Sequence, residues 1–140
     1  MLQQIVFVSQ SEAESMLPGQ AWAIVSITDP DANTADLHDG WAAVLRLAFD
    51  DVDPRIDELD VGDMTPLSEP QALAIAQFYQ RIATHCRVLV VHCRYGQSRS
   101  AAIARALCEV RGLDVPVITY GANRYVYELV KRSLTASATN

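Results

Sequence analysis

The sequence has few cysteines, no long apolar run and no overall excess of basic residues. Three irregularly spaced cysteines, Cys86, Cys93 and Cys108, are too few for the disulfide framework of a small secreted protein. No apolar stretch approaches the roughly 18 residues of a membrane span, and the N-terminus lacks the basic segment of a signal peptide. A formal net charge of −6 over 140 residues argues against binding to nucleic acid through phosphate contacts. The sequence therefore predicts a cytoplasmic globular domain with neither membrane nor nucleic acid as a partner.

The charges are divided unevenly along the chain. Residues 1–70 hold fourteen acidic and two basic side chains, whereas residues 71–140 hold three acidic and nine basic ones. Such a division can accompany a site for an anion, but it also arises when acidic loops happen to fall in one half. Charge alone does not choose between the two interpretations.

The hydrophobic pattern predicts strands that alternate with helices. Short apolar or β-branched runs predict four strands, over residues 5–9, 21–28, 42–49 and 88–91. Capping and periodicity predict four helices, over 11–17 with Ser11 as N-cap, from Ser68 to about residue 85 with Gln71 completing a capping box, over 100–111 closed by Gly112, and over 122–134. We expect a single α/β domain over residues 1–134, with a central, mainly parallel sheet of about four or five strands flanked by helices, and a flexible tail over 135–140.

The most informative stretch reads V-V-H-C-R-Y-G-Q-S-R-S, over residues 90–100. An apolar strand ends at His92, a tight turn follows, and a helix begins near Arg99. We call residues 93–98 the Cys93 loop. A strand, a tight loop and a helix N-terminus often form an anion site, because loop amides and the helix dipole both attract negative charge. Gly96 gives this loop the backbone freedom that inward-pointing amides need.

The side chains of this stretch suit nucleophilic chemistry on an anion. A thiol at a helix N-terminus beside an arginine favours its thiolate form, so Cys93 is a candidate nucleophile. The planar fork of Arg99 can hold two oxygens of a phosphoryl group. Ser98 and Ser100 add hydroxyl groups near the loop, and His92 is placed to hydrogen-bond backbone groups of the loop.

This string resembles the H-C-x5-R-[S/T] signature of the cysteine-dependent protein tyrosine phosphatase superfamily. Its C-R-x-G-x-S-R-S form resembles the dual-specificity branch. The likeness covers roughly residues 40–112, from the strand before Asp51 to the helix after Arg99. It implies a phosphatase-like fold and a hydrolase that removes phosphate from phosphotyrosine, with phosphoserine and phosphothreonine as further substrates of the branch.

The resemblance also implies a role for each motif residue. Cys93 attacks phosphorus and forms a phosphocysteine, Arg99 binds the phosphoryl oxygens, and Ser100 stabilises the departing thiolate. The phosphate-binding amides belong to Arg94, Tyr95, Gly96, Gln97, Ser98 and Arg99, and His92 supports them. The implied mechanism needs no metal and no cofactor.

The resemblance further implies an aspartic acid that protonates the leaving oxygen and then activates water. In the family it follows the strand before the long helix, where this chain reads V-L-R-L-A-F-D-D. That alignment gives Asp51, with Asp53 as second choice and Asp50 as third. The chain between Asp51 and Cys93 is longer than the family pattern, with the additional residues falling between 54 and 66.

Two other functions are compatible with the same sequence. One is a phosphoprotein-binding domain without catalysis, since a fold does not fix a function. The other is a rhodanese-like sulfurtransferase, whose active loop also begins at a cysteine after a strand. Ser100 and Asp51 favour the phosphatase. Because Gln97 is central in the loop and only Arg94 adds charge, we expect phosphorylated proteins or small aryl phosphates rather than highly anionic substrates.

The remaining polar and thiol residues receive structural interpretations. Cys86 and Cys108 are expected in the core. Asn123, Arg124 and Tyr125 are expected at the start of the last helix, where a capping role is favoured over a role near the pocket. The acidic segment, residues 50–63, is expected to be a solvated loop.

Overall fold

Strands and helices alternate along the chain as predicted. The computed structural model describes residues 1–56 and 62–138. The elements in these ranges are β1 (Gln4–Ser9), α1 (Gln10–Ser15), β2 (Trp22–Thr28), β3 (Ala43–Ala48), α2 (Glu69–Ile82), β4 (Val88–Cys93), α3 (Arg99–Arg111) and α4 (Arg124–Ala138). The predicted α/β class and its single domain are confirmed.

The four strands form one all-parallel sheet in the order β1-β4-β2-β3. The strand that ends in Cys93 therefore lies between two neighbours, with Ser9 of β1 opposite Cys93 and Ser26 of β2 opposite His92. Since the strands are parallel, all their carboxyl ends meet at one edge of the sheet, which is where ligands bind in open α/β sheets. Residues that follow β2, β3 and β4 thus gather beside Cys93.

The two faces of β4 pack against different layers. Side chains alternate along a strand, so Leu89, Val91 and Cys93 face the main core, formed with α2, α3 and α4. Val90 faces a smaller cluster that contains Ala13 of α1. Burial on both faces explains why β4 is a continuous apolar run.

The start of α2 fixes the end of the neighbouring strand. Ser68 and Gln71 form the predicted capping box, with Ser68 Oγ accepting from the Gln71 amide at 3.2 Å. Gln71 Nε2 also donates to the carbonyl of Ala48, the last residue of β3, at 2.9 Å. The helix ends at Ile82, earlier than predicted, and the chain then turns directly into β4.

The N-cap of the first helix differs from the prediction. Ser9 rather than Ser11 caps α1, because Ser9 has the extended backbone of a strand end and its hydroxyl accepts from the Glu12 amide at 3.1 Å. The Glu12 carboxylate accepts in return from the Ser9 amide, which completes a capping box. The strand β1 therefore passes into α1 without an intervening loop.

The last helix is longer than predicted. It begins at Arg124 and continues to Ala138, so the tail expected from residue 135 is helical in its first four residues. Two of these residues are alanine, which favours helix, and Leu134 is buried against the core directly before them. Docking of α4 therefore extends the helix into the predicted tail. Residues 139 and 140 lie outside the described ranges.

No helix of residues 1–56 and 62–138 combines the length and apolar character needed to cross a membrane.

The acidic segment is only partly solvated. Residues 57–61, which include Asp57, Glu58 and Asp60, lie outside the described ranges. Before them, the predicted solvated loop is wrong for Val52 and Asp53, which are 3% and 7% exposed. Asp53 can be buried because Arg55 pairs with its carboxylate at 3.1 Å.

Candidate active site

The Cys93 loop is held against the end of β1. Gly96 has a φ of +69°, which favours glycine, and a Cβ added there would lie 2.5 Å from backbone atoms of Val8 and Ser9. The Gln10 amide also donates to the Arg94 carbonyl at 3.2 Å. The loop therefore takes its shape from the neighbouring strand as well as from its own sequence.

Cys93 is the last residue of β4, and it is 2% exposed at the N-terminus of α3. Its Sγ lies 3.2 Å from Ser100 Oγ. Burial raises the pKa of this thiol, but hydrogen bonds from the Ser100 hydroxyl and from the amides of Ser100 and Gly96, together with the Arg99 charge, outweigh it. The net pKa lies below the ordinary value, so the site favours the thiolate.

Arg99 is almost completely buried beside this thiol. Its Nη1 donates to Asp29 Oδ1 at 2.8 Å and to the Phe49 carbonyl at 2.7 Å. Its Nε is buried and has no hydrogen-bond partner within the described part of the chain. An unsatisfied buried donor is costly, and an anion oxygen in the loop would satisfy it.

Asp29 is a site residue that no sequence motif indicated. It follows β2, and besides Arg99 it faces Arg94, whose Nη1 lies 3.9 Å from Asp29 Oδ2. One carboxylate thus binds Arg99 and lies within ion-pair distance of Arg94. Its position directly after a buried parallel strand is the signal that would have identified it.

Of the three candidate acids, Asp51 is bonded to the Cys93 loop. Its Oδ1 accepts from Ser98 Oγ at 2.9 Å and from Asn123 Nδ2 at 2.8 Å.

The other two candidates have partners away from the loop. Asp50 Oδ2 accepts from the Thr65 amide at 2.7 Å. Asp53 is bound by Arg55, which holds the pKa of the Asp53 carboxyl below its usual range. The structure therefore brings Asp51 to the loop and engages Asp50 and Asp53 elsewhere.

The ring of His92 lies on the opposite face of the sheet from Cys93 and bonds to β2 rather than to backbone groups of the loop as expected, and its buried Nδ1 has no hydrogen-bond partner within the described residues. Its Nε2 lies 2.6 Å from Ser26 Oγ, in register across β2 and β4. Burial lowers the pKa of His92, with a smaller opposing contribution from the Cys93 backbone. A neutral, fully buried ring therefore anchors the end of β4 directly before Cys93.

An open groove of about 670 Å³ lies beside the loop. Two exposed loop side chains form one of its walls: Tyr95 is 69% exposed, and the Arg94 guanidinium lies 5.4 Å from the centre of the Tyr95 ring. The groove is open to solvent next to the loop. Its other walls include Gln10, Glu14, Asp29 and Asn33.

The other two cysteines are buried in the core, as expected. Burial raises the pKa of Cys86, and it raises the pKa of Cys108 to about 11. Burial thus favours the protonated form of both thiols, whereas the pKa of Cys93 is lowered. Over residues 1–56 and 62–138, no group of three or more His, Cys, Asp or Glu side chains is placed to hold a metal ion.

The assignment of this site depends on the loop and its contacts. No protein-family model and no curated protein matches the chain. The structure brings together the Cys93 thiol with its lowered pKa, the buried Arg99 whose Nε has no hydrogen-bond partner within the described residues, and Asp51 at the loop. That combination can bind a tetrahedral anion and attack it.

Proposed function

We propose that the protein is a phosphomonoesterase of the tyrosine and dual-specificity phosphatase class, acting through a phosphocysteine on Cys93. The observation that supports this most is the buried Cys93 thiol, 3.2 Å from Ser100 Oγ, with its pKa lowered. A structural core cysteine would have a raised pKa, as Cys86 and Cys108 do. The lowered value supports Cys93 as the nucleophile.

In the first step the Cys93 thiolate attacks phosphorus and an S–P bond forms. The bond from phosphorus to the leaving oxygen breaks, and Asp51 gives that oxygen its proton. Arg99 Nε and the loop amides donate to the phosphoryl oxygens, whose charge they stabilise in the transition state. Asp29 and the Phe49 carbonyl hold Arg99 in place for this role.

In the second step water attacks the phosphocysteine. Asp51, now ionised, takes the proton of the water as the O–P bond forms. The S–P bond breaks, and the departing sulfur becomes a thiolate that Ser100 stabilises by donating its hydroxyl hydrogen. Inorganic phosphate is released, and the enzyme returns to its starting state.

We infer phosphotyrosine as the preferred substrate group, carried on a protein. The nucleophile and Arg99 are 2% and 4% exposed, and a phosphotyrosine holds its phosphoryl group farther from the peptide backbone than a phosphoserine does. Tyr95 at the mouth provides an aromatic surface for the substrate ring. A reducing compartment such as the cytoplasm suits this chemistry, because only the reduced thiolate is a nucleophile.

The test is hydrolysis of p-nitrophenyl phosphate by the wild type and by Cys93→Ser. We expect turnover in the wild type and none in the variant, while the matched control Cys86→Ser keeps its activity. Phosphotyrosine and phosphothreonine peptides then give the preference as a ratio of kcat/KM. Phosphopeptide binding without turnover would instead favour the non-catalytic domain, and activity of Cys93→Ser would overturn the mechanism.

A further inference from the structure

The side chain of Asn123 is fixed at both of its ends. It precedes α4 and is 8% exposed. Its Oδ1 accepts from the Val126 amide at 3.0 Å, which is the predicted helix cap. Its Nδ2 donates to Asp51 Oδ1 at 2.8 Å and to the Val52 carbonyl at 3.2 Å. The cap thus holds the amide group that contacts the acid.

Asn123 also contacts the Cys93 loop through its backbone. The Asn123 amide donates to the Ser98 carbonyl at 3.3 Å. Ser98 Oγ in turn donates to the same Asp51 Oδ1 that Asn123 contacts. The loop, the acid and the first turn of α4 therefore share one hydrogen-bonded node.

This node determines which oxygen of Asp51 carries a proton. Both observed donors end on Oδ1, so a protonated Asp51 carries its hydrogen on Oδ2. A general acid works only when its proton is aimed at the leaving oxygen. An orientation fixed through Oδ1 leaves Oδ2 as the atom that transfers the proton.

We propose that Asn123 is a positioning residue that orients Asp51 for proton transfer to the leaving group. The inference rests on the proposed phosphatase function. The two ends of the Asn123 amide then have different roles. The oxygen caps α4, and the nitrogen holds Asp51 in the orientation that the reaction needs.

The two ends can be separated by substitution. Asn123→Ser and Asn123→Asp each keep an oxygen that can cap α4, and both lose the amide donor to Asp51. Asn123→Asp in addition places a carboxylate beside Asp51. Ser68→Ala is the matched control, because it removes the cap of α2 and leaves the bonds of Asp51 in place.

The experiment measures kcat/KM, which reports transfer of the phosphoryl group to Cys93 and not the later hydrolysis, for aryl phosphates from a good leaving group, dinitrophenol, to a poor one, phenol. We expect Asn123→Ser to lose roughly tenfold or more with phenyl phosphate and little with dinitrophenyl phosphate, because only the poor leaving group needs the acid. In the Asp51→Asn background the same substitution should cause no further loss. Asn123→Asp should show the same pattern, and Ser68→Ala should lower the Tm without changing the leaving-group dependence.

An equal loss across all leaving groups, or full additivity with Asp51→Asn, would overturn this role while leaving the phosphatase proposal intact. Absence of turnover in the wild type would overturn the phosphatase proposal, and this inference with it.

Discussion

Replacement of Gly96 by alanine tests whether the Cys93 loop depends on its close approach to β1. The new Cβ would lie 2.5 Å from the Ser9 nitrogen and from the Val8 carbonyl carbon. Both atoms belong to a strand that is paired with β4. These strand atoms cannot move away from the new Cβ without disturbing the sheet next to Cys93. We therefore expect the loop to be displaced instead.

A second glycine allows the cost of this contact to be separated from the cost of the backbone conformation. Gly112 has a φ of +79°, close to that of Gly96, and a Cβ there meets nothing within 4 Å. The left-handed conformation costs either alanine variant about 1–2 kcal/mol. Overpacking adds about 1–3 kcal/mol to Gly96→Ala alone.

The assays are thermal unfolding and inhibition by inorganic phosphate. With a Tm change of roughly 4 °C per kcal/mol for a domain of this size, Gly112→Ala should lose about 4–8 °C, and Gly96→Ala should lose more. Only Gly96→Ala should also bind phosphate weakly. Equal losses of Tm in the two variants, with normal phosphate binding in Gly96→Ala, would refute the reasoning.

Side-chain contacts lead to three more predictions. Asp29→Asn should lower kcat/KM roughly tenfold, which is the effect of losing one charge-assisted hydrogen bond. Inhibition by phosphate should change less, because Arg99 keeps its charge and loses only its orientation. Unchanged kinetics would contradict a role for Asp29 in the site. The rate of Cys93 alkylation by iodoacetamide should show a pH midpoint below that of an ordinary thiol. The midpoint should rise in Ser100→Ala, since the Ser100 hydroxyl lowers the pKa of Cys93. An unchanged midpoint in Ser100→Ala would contradict this effect of the hydroxyl. Hydrogen bonds from Lys131 and Tyr127 lower the pKa of Glu109 to about 2 from 4.5. The ionised Glu109 therefore stabilises the fold by about 0.2–1 kcal/mol, as for an exposed pair, above pH 4.5, and this stabilisation is lost as the pH falls toward 2. The free energies of unfolding of the wild type and Glu109→Gln, measured by urea titration, should converge over that range.

The features that could be predicted from the sequence are local in the chain. The capping box of Ser68 and Gln71 spans four residues, and the Cys93 loop with its glycine lies between a strand and the helix that follows it. Short-range patterns of this kind carry their own structural signal. The first helix shows the limit, because Ser9 and Ser11 are both suitable caps and only the strand end selects Ser9.

The features that the sequence does not reveal depend on contacts between distant parts of the chain. Asp29 meets Arg99 across seventy residues, and Asn123 meets Asp51 across seventy-two. The parallel sheet order brings Asp29, Asp51 and Arg99 to one edge, and no local pattern encodes that order. The start of α4 adds Asn123 beside them. The predicted cap at Asn123 is correct for its side-chain oxygen, while the partner of its nitrogen depends on the folded chain.

The central claim is that Cys93 carries the phosphoryl group during turnover. The direct measurement is acid quenching of the enzyme during hydrolysis of an aryl phosphate, followed by peptide mass spectrometry. With dinitrophenyl phosphate, whose leaving group needs no acid, Asp51→Asn should accumulate the intermediate, because it lacks the base that activates water. We predict a phosphoryl group on the peptide that contains Cys93 and none on those that contain Cys86 or Cys108. Turnover with no phosphorylated Cys93, or with the group on another residue, would contradict the account.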